Sequence, residues 1–220
     1  MGTSLAVIEA EFKPRLQSFA DVLAPYKVPS SSFQAGAMAY FAANPYMLDD
    51  CAAQSLMNAV MTFAVQGLHL DPGSQHGCIV AFNGKAQPIT MVRGYSVLAA
   101  RAGYTLQSRL VREGDAIKEF GGSDPRIEHE PVLGNKGRVI GAYAVARSNL
   151  LPVLFTPFIT IDDLITTRDR SKGYQAAFKR GKPHPWITDF DAMCLKTPKR
   201  LLAKDIPNDM LGAAAWLDTM

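Results

Sequence analysis

The chain has 220 residues, of which 48% are hydrophobic and 20% are charged, and its formal net charge at pH 7 is +3. A chain of this length and composition can bury a full core as one domain with a helical extension, which excludes an intrinsically disordered protein. It has no run of about 18 uninterrupted apolar residues and no basic N-terminal region before an apolar run, so the sequence predicts neither a membrane span nor a secretory signal.

The first part of the chain has the apolar spacing of helices. Three helices are predicted there, over about residues 4–24, 33–43 and 49–67. The serines of residues 30–32 offer caps for the second helix, and the carboxylates of Asp49 and Asp50 suit the start of the third. The apolar stripes of these helices are typical of a core or of a subunit interface.

The middle of the chain changes to the period of strands. Asn83 and Gly84 separate two apolar runs, which is a strong signal for a tight hairpin. Further elements are a short helix over about 94–102 and strands near 105–113, 115–120, 126–130, 138–147 and 152–158. Helix returns after Thr160 and after Trp186. This order predicts an α+β fold, an antiparallel sheet with hairpins flanked by helices, with a helical N-terminal region and basic C-terminal helices.

Positive charge is concentrated near the C-terminal end. Between Arg168 and Lys204 there are ten Lys or Arg residues and three Asp residues. The same segment contains the rings of Tyr174, Phe178, Trp186 and Phe190. Cations interleaved with aromatic rings suit single-stranded nucleic acid, which offers charged phosphates and the π faces of its bases. A solvated, Lys-rich surface is the alternative that charge alone leaves open.

No pattern of catalytic residues is present. The segment from Gly77 to Lys85 does not have the spacing of a phosphate-binding loop, and Ala86 follows it where Ser or Thr would bind magnesium. His69, Asp71, His76 and Cys78 could form a zinc site, but their spacing is not that of a known finger. We therefore expect no catalytic residue, no cofactor and no metal site, and we predict that the protein is not an enzyme.

The three cysteines do not form a recognisable motif. Cys51, Cys78 and Cys194 are odd in number and far apart, and there is no C-x-x-C. We interpret them as buried, reduced thiols of a cytoplasmic protein rather than as disulfide or reactive thiols.

Five segments, taken together, resemble the RecT family of single-strand DNA annealing proteins of phages and prophages. The segment PWITDFDAMCLKTPKRLLAKDIP, from Pro185 to Pro207, is similar to the C-terminal core of that family, with its Pro-Trp helix start and its Met-x-x-Lys-Thr. The segments upstream, in the family's order, are GLHLDPGSQHGCIVAFNGK, VRGYSVLAARAG, SRLVREGDAIKEFGGSDPRIEHEP and GAYAVARS. The resemblance covers about residues 47–207.

The resemblance implies an ATP-independent protein that coats single-stranded DNA and pairs it with a complementary strand in homologous recombination. It implies a homo-oligomer, as a ring or helical filament, which holds the annealed duplex intermediate in the cytoplasm of a bacterial host cell. A 5′–3′ exonuclease and the host single-strand binding protein are the implied partners, and no membrane is involved. We expect an oligomerising region over 1–46, an annealing core over 47–207 and a short tail over 208–220. A non-annealing protein that protects single strands and a basic phage structural protein remain alternatives.

In the middle of the chain, four residues are candidates for nucleic-acid binding. Lys85 lies at the tip of the predicted hairpin. The resemblance places Arg93 at a helix start, where its charge and the free amides converge on a phosphate. The family has a tyrosine before this basic residue, where this chain has Met91 and Val92; either Tyr95 replaces it or that contact is lost. Arg112 matches the family's Val-Arg-Glu-Gly-Asp, and we favour it over Arg109, which points to the other face of the strand.

The remaining candidates lie in the basic segment. Arg168 and Lys172 lead into a Gly-rich, basic loop over residues 173–182, which we expect to be mobile without DNA. Lys196, Lys199 and Arg200 occupy one turn and one face of a helix and can meet consecutive phosphates.

For Pro198 and Trp186, the sequence leaves two structural alternatives each. Pro198 is predicted either to stand in a first helical turn, with Thr197 as cap, or to kink the helix. Trp186 either stacks on a base or, as is more usual after a proline at a helix start, packs into the core.

Overall fold

The structure is a computed structural model that describes residues 3–134 and 136–206. It combines helices with antiparallel sheets and begins with a helical region, as the sequence predicts. Two units share the chain, unit 1 up to Leu98 and unit 2 from Ala99. The predicted tail over 208–220 lies outside the described residues. Within the described part of the chain, no helix is long and apolar enough to cross a membrane.

Unit 1 begins with the helices α1 (Leu5–Phe12), α2 (Leu16–Leu23), α3 (Ser30–Ala43), α4 (Tyr46–Asp50) and α5 (Ala53–Val65). The single helix predicted over 4–24 is wrong, because a 3₁₀ turn over Lys13–Arg15 with Pro14 near its start separates α1 from α2. Proline has no N–H to donate and its ring crowds the preceding turn, which breaks a helix there.

Two predicted helix starts in unit 1 are also wrong. Ser30 is the first residue of α3 itself, and Pro29 precedes it without a side-chain cap. Asp49 and Asp50 end α4 instead of starting the long helix, because Cys51 takes an extended conformation and is buried in the core. The predicted stop is confirmed: Gly67 has φ +60°, and the Leu68 N–H donates to the Phe63 carbonyl at 2.9 Å.

The apolar stripes of the first helices form the core of unit 1. Ile8, Phe12, Phe19 and Leu23 are fully buried together with side chains of α5. The rings of Phe12 and Phe19 lie 5.1 Å apart between centroids. The stripes were expected to form either a core or a subunit interface, and their buried residues form the core. Residues before and after position 46 belong to this same core.

A hairpin and a helix complete unit 1. Strands β1 (Gly77–Phe82) and β2 (Lys85–Thr90) pair antiparallel around Asn83 and Gly84, which both have positive φ angles. This confirms the predicted two-residue turn, whose left-handed positions favour Asn-Gly. The helix α6 (Val92–Arg101) follows and runs into unit 2.

Unit 2 is built on a central sheet and a separate hairpin. The sheet consists of β3 (Thr105–Arg112), β6 (Val139–Arg147), β7 (Leu154–Phe155) and β8 (Ile159–Thr160), with β6 paired to each of the other three. The hairpin consists of β4 (Ala116–Phe120) and β5 (Arg126–Glu130). The helices are α7 (Ile161–Asp169), α8 (Lys172–Lys179), α9 (Pro185–Thr188) and α10 (Phe190–Asp205), and α10 packs against β3 and β6.

Two expectations for the C-terminal segment are corrected. Residues 173–179 of the expected mobile loop belong to α8, whose first turn is capped by the Ser171 hydroxyl accepting from the Tyr174 N–H at 3.3 Å. Pro198 lies in the middle of α10, and Thr197 is no cap, since its hydroxyl donates to the Met193 carbonyl at 3.2 Å. The Pro198 ring is buried, and α10 continues past it although proline has no N–H for the helical hydrogen bond.

Gly141 of β6 provides a test of the sheet. A Cβ atom there would lie 2.3 Å from Phe158 Cζ and 2.5 Å from the Ile159 carbonyl oxygen, and the latter belongs to the strand paired with β6. We expect Gly141→Ala to lower the free energy of unfolding of unit 2 by about 1–3 kcal/mol in urea denaturation. Gly121→Ala is the matched control, because a Cβ atom there meets nothing within 4 Å. Equal stability of the two variants would contradict this packing.

Candidate nucleic-acid interface

A groove of about 430 Å³ in unit 2 runs along α10 from Met193 to Lys204. Its walls come from the end of α7, the start of α8, and helices α9 and α10. The lining residues are Thr167, Arg170, Ser171, Trp186, Met193, Lys196, Thr197, Arg200, Leu201 and Lys204. None of these lining residues is an Asp or a Glu. Within the described part of the chain, the groove thus gathers cations without a carboxylate in its wall.

The cations of the groove form a regular row. Lys196, Arg200 and Lys204 are four residues apart on α10, so they share one face at intervals of about 6 Å along the axis. Arg170, at the end of α7, adds a fourth positive charge. Among the described residues none of these four side chains forms an ion pair. Like charges lining one concave surface raise its positive potential and attract polyanions.

The floor of the groove is Trp186. Its side chain is only 5% exposed and packs in a core cluster with Ala142, Leu164 and Cys194. Burial raises the pKa of the Cys194 thiol in this cluster to about 11. Of the two alternatives for Trp186, the structure therefore selects packing in the core.

The Pro-Trp motif sets the position of this tryptophan. Pro185 is the first residue of α9, where a missing N–H is harmless. The Nδ1 atom of His184 accepts the Trp186 N–H at 3.2 Å and caps the helix. The short helix thereby turns the indole under α10.

Arg112 is held inside unit 2. Its guanidinium forms an ion pair with Asp191 of α10 and donates from Nη1 to the Gly137 carbonyl at 2.7 Å. Its backbone N–H donates to the buried Asp115 carboxylate at 2.8 Å, and the imidazole of His129 lies 3.4 Å from the same carboxylate. The Val-Arg-Glu-Gly-Asp motif therefore fixes strands and helix to each other, and Arg112 is not among the residues that line the groove.

Of the other residues of unit 2 predicted to bind nucleic acid, some line the groove and some do not. The groove brings together Lys196 and Arg200, whereas Arg168, Lys172 and Lys199 do not line it. Sequence reasoning missed Lys204 and Arg170 as members of the site. Lys204 could have been found, because it repeats the four-residue spacing of Lys196 and Arg200. Arg170 lies on another helix, and only the fold places it in the groove.

Three predicted residues lie in unit 1. Lys85 opens β2 beside the hairpin turn, opposite Phe82, and is exposed. Arg93 is exposed in the first turn of α6, and Tyr95, two residues further on, is half-buried. Their role in binding stays a prediction.

A close backbone contact explains why a glycine, Gly94, follows Arg93. A Cβ atom at this position would lie 2.2 Å from the His76 carbonyl oxygen. The same oxygen accepts the Met91 N–H at 2.9 Å, which ties the start of α6 to the chain before β1.

The His, Asp and Cys quartet considered for zinc has local structural roles. The His69 N–H donates to Nδ1 of His76 at 3.2 Å. The Asp71 carboxylate accepts the N–H groups of Gly73 and Ser74 at 2.9 and 2.8 Å. In the described part of the chain no three His, Cys, Asp or Glu side chains are close enough to hold a metal ion.

The chain matches a known family model and a known protein. A family model described as the RecT family matches residues 31–216 of the chain. Protein RecT of Escherichia coli (strain K12) is 30% identical over 172 residues. The matched residues make up 73% of this chain and 60% of the length of that relative. The family model therefore covers the groove helices, and the chain spans less than two thirds of the length of that relative.

Proposed function

The chain belongs to the RecT family, and from this membership and the basic groove we propose that it is a DNA-recombination protein that anneals single strands. In this proposal it coats one strand by its phosphates and leaves the bases accessible. It then holds the complementary strand as the duplex forms, without ATP. Pairing itself supplies the free energy, so no nucleotide hydrolysis is needed.

One observation carries the proposal. The Met-x-x-Lys-Thr segment that resembles the family consists of Met193, Lys196 and Thr197, and all three line the groove. Arg200 and Lys204 continue the same helix face as a row of cations, none of which forms an ion pair with another described residue. A row of cations suits phosphates of any sequence, and its affinity for DNA falls steeply with salt because counterions are released.

The size of the groove supports a homo-oligomer. From Lys196 to Lys204 the helix advances about 12 Å, which one chain can offer to only a few nucleotides. Several copies, arranged as a ring or helical filament, are needed to present a useful length of strand. Leu5, Val7 and Leu16 remain exposed on α1 and α2 and are the candidates for contacts between copies in the region over 1–46. A cognate 5′–3′ exonuclease and a host single-strand binding protein complete this proposal as partners.

The test is annealing of complementary oligonucleotides, one with a fluorophore and the other with a quencher, by the purified protein without any nucleotide. We expect the fluorescence to be quenched much faster with the protein than with the free strands alone. Electron microscopy of the same mixture should reveal rings or filaments on DNA. A strict requirement for ATP would overturn the mechanism. Tight binding without annealing would favour a protective single-strand binding protein, and no binding at low salt would favour a structural protein.

A further inference from the structure

Helix α8 carries two aromatic residues, of which only one packs against the core. Tyr174 is half-buried against the core of unit 2, whereas Phe178 is 67% exposed. Their rings are stacked, with centroids 5.8 Å apart and planes 30° from parallel. No residue of α8 is fully buried, so packing in the core does not account for a phenylalanine at this position.

Tyr174 is held firmly beneath Phe178. The guanidinium of Arg168 lies over the tyrosine ring, 5.0 Å from its centroid, and its Nε donates to Asp169 at 2.8 Å. The ring of His184 meets the tyrosine edge-on at 5.7 Å. Arg168, predicted to bind DNA, thus also supports the ring under Phe178. Phe178 is therefore backed by an ordered surface rather than by solvent.

The surroundings of Phe178 are cationic. Lys179, Arg180 and Lys182 follow it and are exposed, and the sequence has no Asp or Glu from residue 170 to residue 188. The helix begins directly after Ser171, which lines the groove, and Phe178 lies about 10 Å further along its axis. A strand held in the groove can therefore reach this ring.

We propose that Phe178, backed by Tyr174, is a base-stacking residue on which a nucleobase of single-stranded DNA lies while the groove cations hold the phosphates. This proposal rests on the proposed function of the groove. An exposed ring among cations fits a nucleic acid, whose bases offer π faces and whose phosphates neutralise the charge. An apolar protein surface fits less well, because covering the ring would also remove the surrounding Lys and Arg side chains from water without pairing them.

The experiment compares Phe178→Ala and Phe178→Trp with the wild-type chain, using a thymidine homopolymer and an abasic strand of equal length. We expect Phe178→Ala to weaken binding of the homopolymer by about fivefold or more with an unchanged salt slope, since a stacked base contributes affinity but no counterion release. Binding of the abasic strand should not change. Phe178→Trp should restore the affinity, and its added fluorescence should be quenched by the homopolymer.

Leu150→Ala is the matched control, because Leu150 is similarly exposed, at 58%, in a loop of unit 2. A loss in Phe178→Ala that is equal on the abasic strand, or equal to that of the control, would refute stacking. So would unchanged affinity of Phe178→Ala, or a changed oligomeric state of this variant without DNA, which would assign the ring to contacts between copies. Failure of the wild-type chain itself to bind DNA would instead refute the proposed function on which stacking depends.

Discussion

Replacing Lys196 and Arg200 together by alanine is expected to weaken binding of single-stranded DNA by about tenfold or more. The two side chains are adjacent members of the cation row on α10, and neither is engaged by a carboxylate of the described residues. Each phosphate contact on a single strand contributes about 0.7 to the slope of log K against log salt, so the slope should become shallower by about 1.4. Fluorescence anisotropy titrations over a series of salt concentrations measure both quantities.

Lys13→Ala with Lys118→Ala is the matched control for this double variant. Both residues are exposed and lie outside the groove, and each pair of substitutions lowers the formal net charge by two, from +3 to +1. The control should retain nearly the full salt slope, because it removes long-range attraction without removing phosphate contacts. Equal slopes in the two double variants, both folded by circular dichroism, would place the DNA path elsewhere.

Trp186→Ala is expected to lower the free energy of unfolding of unit 2 by about 3–5 kcal/mol. The indole is buried between α10 and the sheet beside Leu164 and Cys194, so its removal leaves a cavity beneath the cation row. Denaturation in urea, followed by circular dichroism, measures this loss.

Ile187→Ala serves as the neighbouring control, because Ile187 is 55% exposed on the same short helix. It should change stability by no more than about 0.5 kcal/mol. An alanine at position 186 that left stability intact and weakened only DNA binding would return Trp186 to the role of a stacking residue.

Local signals in the sequence predicted the elements that local interactions determine. The hairpin at Asn83 and Gly84 follows from turn chemistry, and the start of α7 follows from Thr160, whose hydroxyl accepts the Asp163 N–H. The break at Cys51 was not predicted, because it depends on burial of that residue among side chains distant in sequence. Pro198 likewise continues α10, since tertiary packing outweighs a local helix breaker.

The candidate site was predictable along α10 but not across helices. Periodicity identifies Lys196 and Arg200 as neighbours on one face. It cannot show that Arg170 joins them, or that Asp191 engages Arg112, because both facts depend on how separate elements meet. Charge pattern alone could not separate the cations that line the groove from those that hold the fold together.

The shared core of unit 1 limits how proteins of this type can be recombined by design. The family match begins at residue 31, yet Ile8, Phe12, Phe19 and Leu23 fill the space beside α5. A fragment cut at that boundary would expose the inner face of α5 to water and would be prone to aggregate. Chimeras with related chains should therefore exchange unit 1 as a whole, so that the aromatic side chains of its first helices stay with the partners that enclose them.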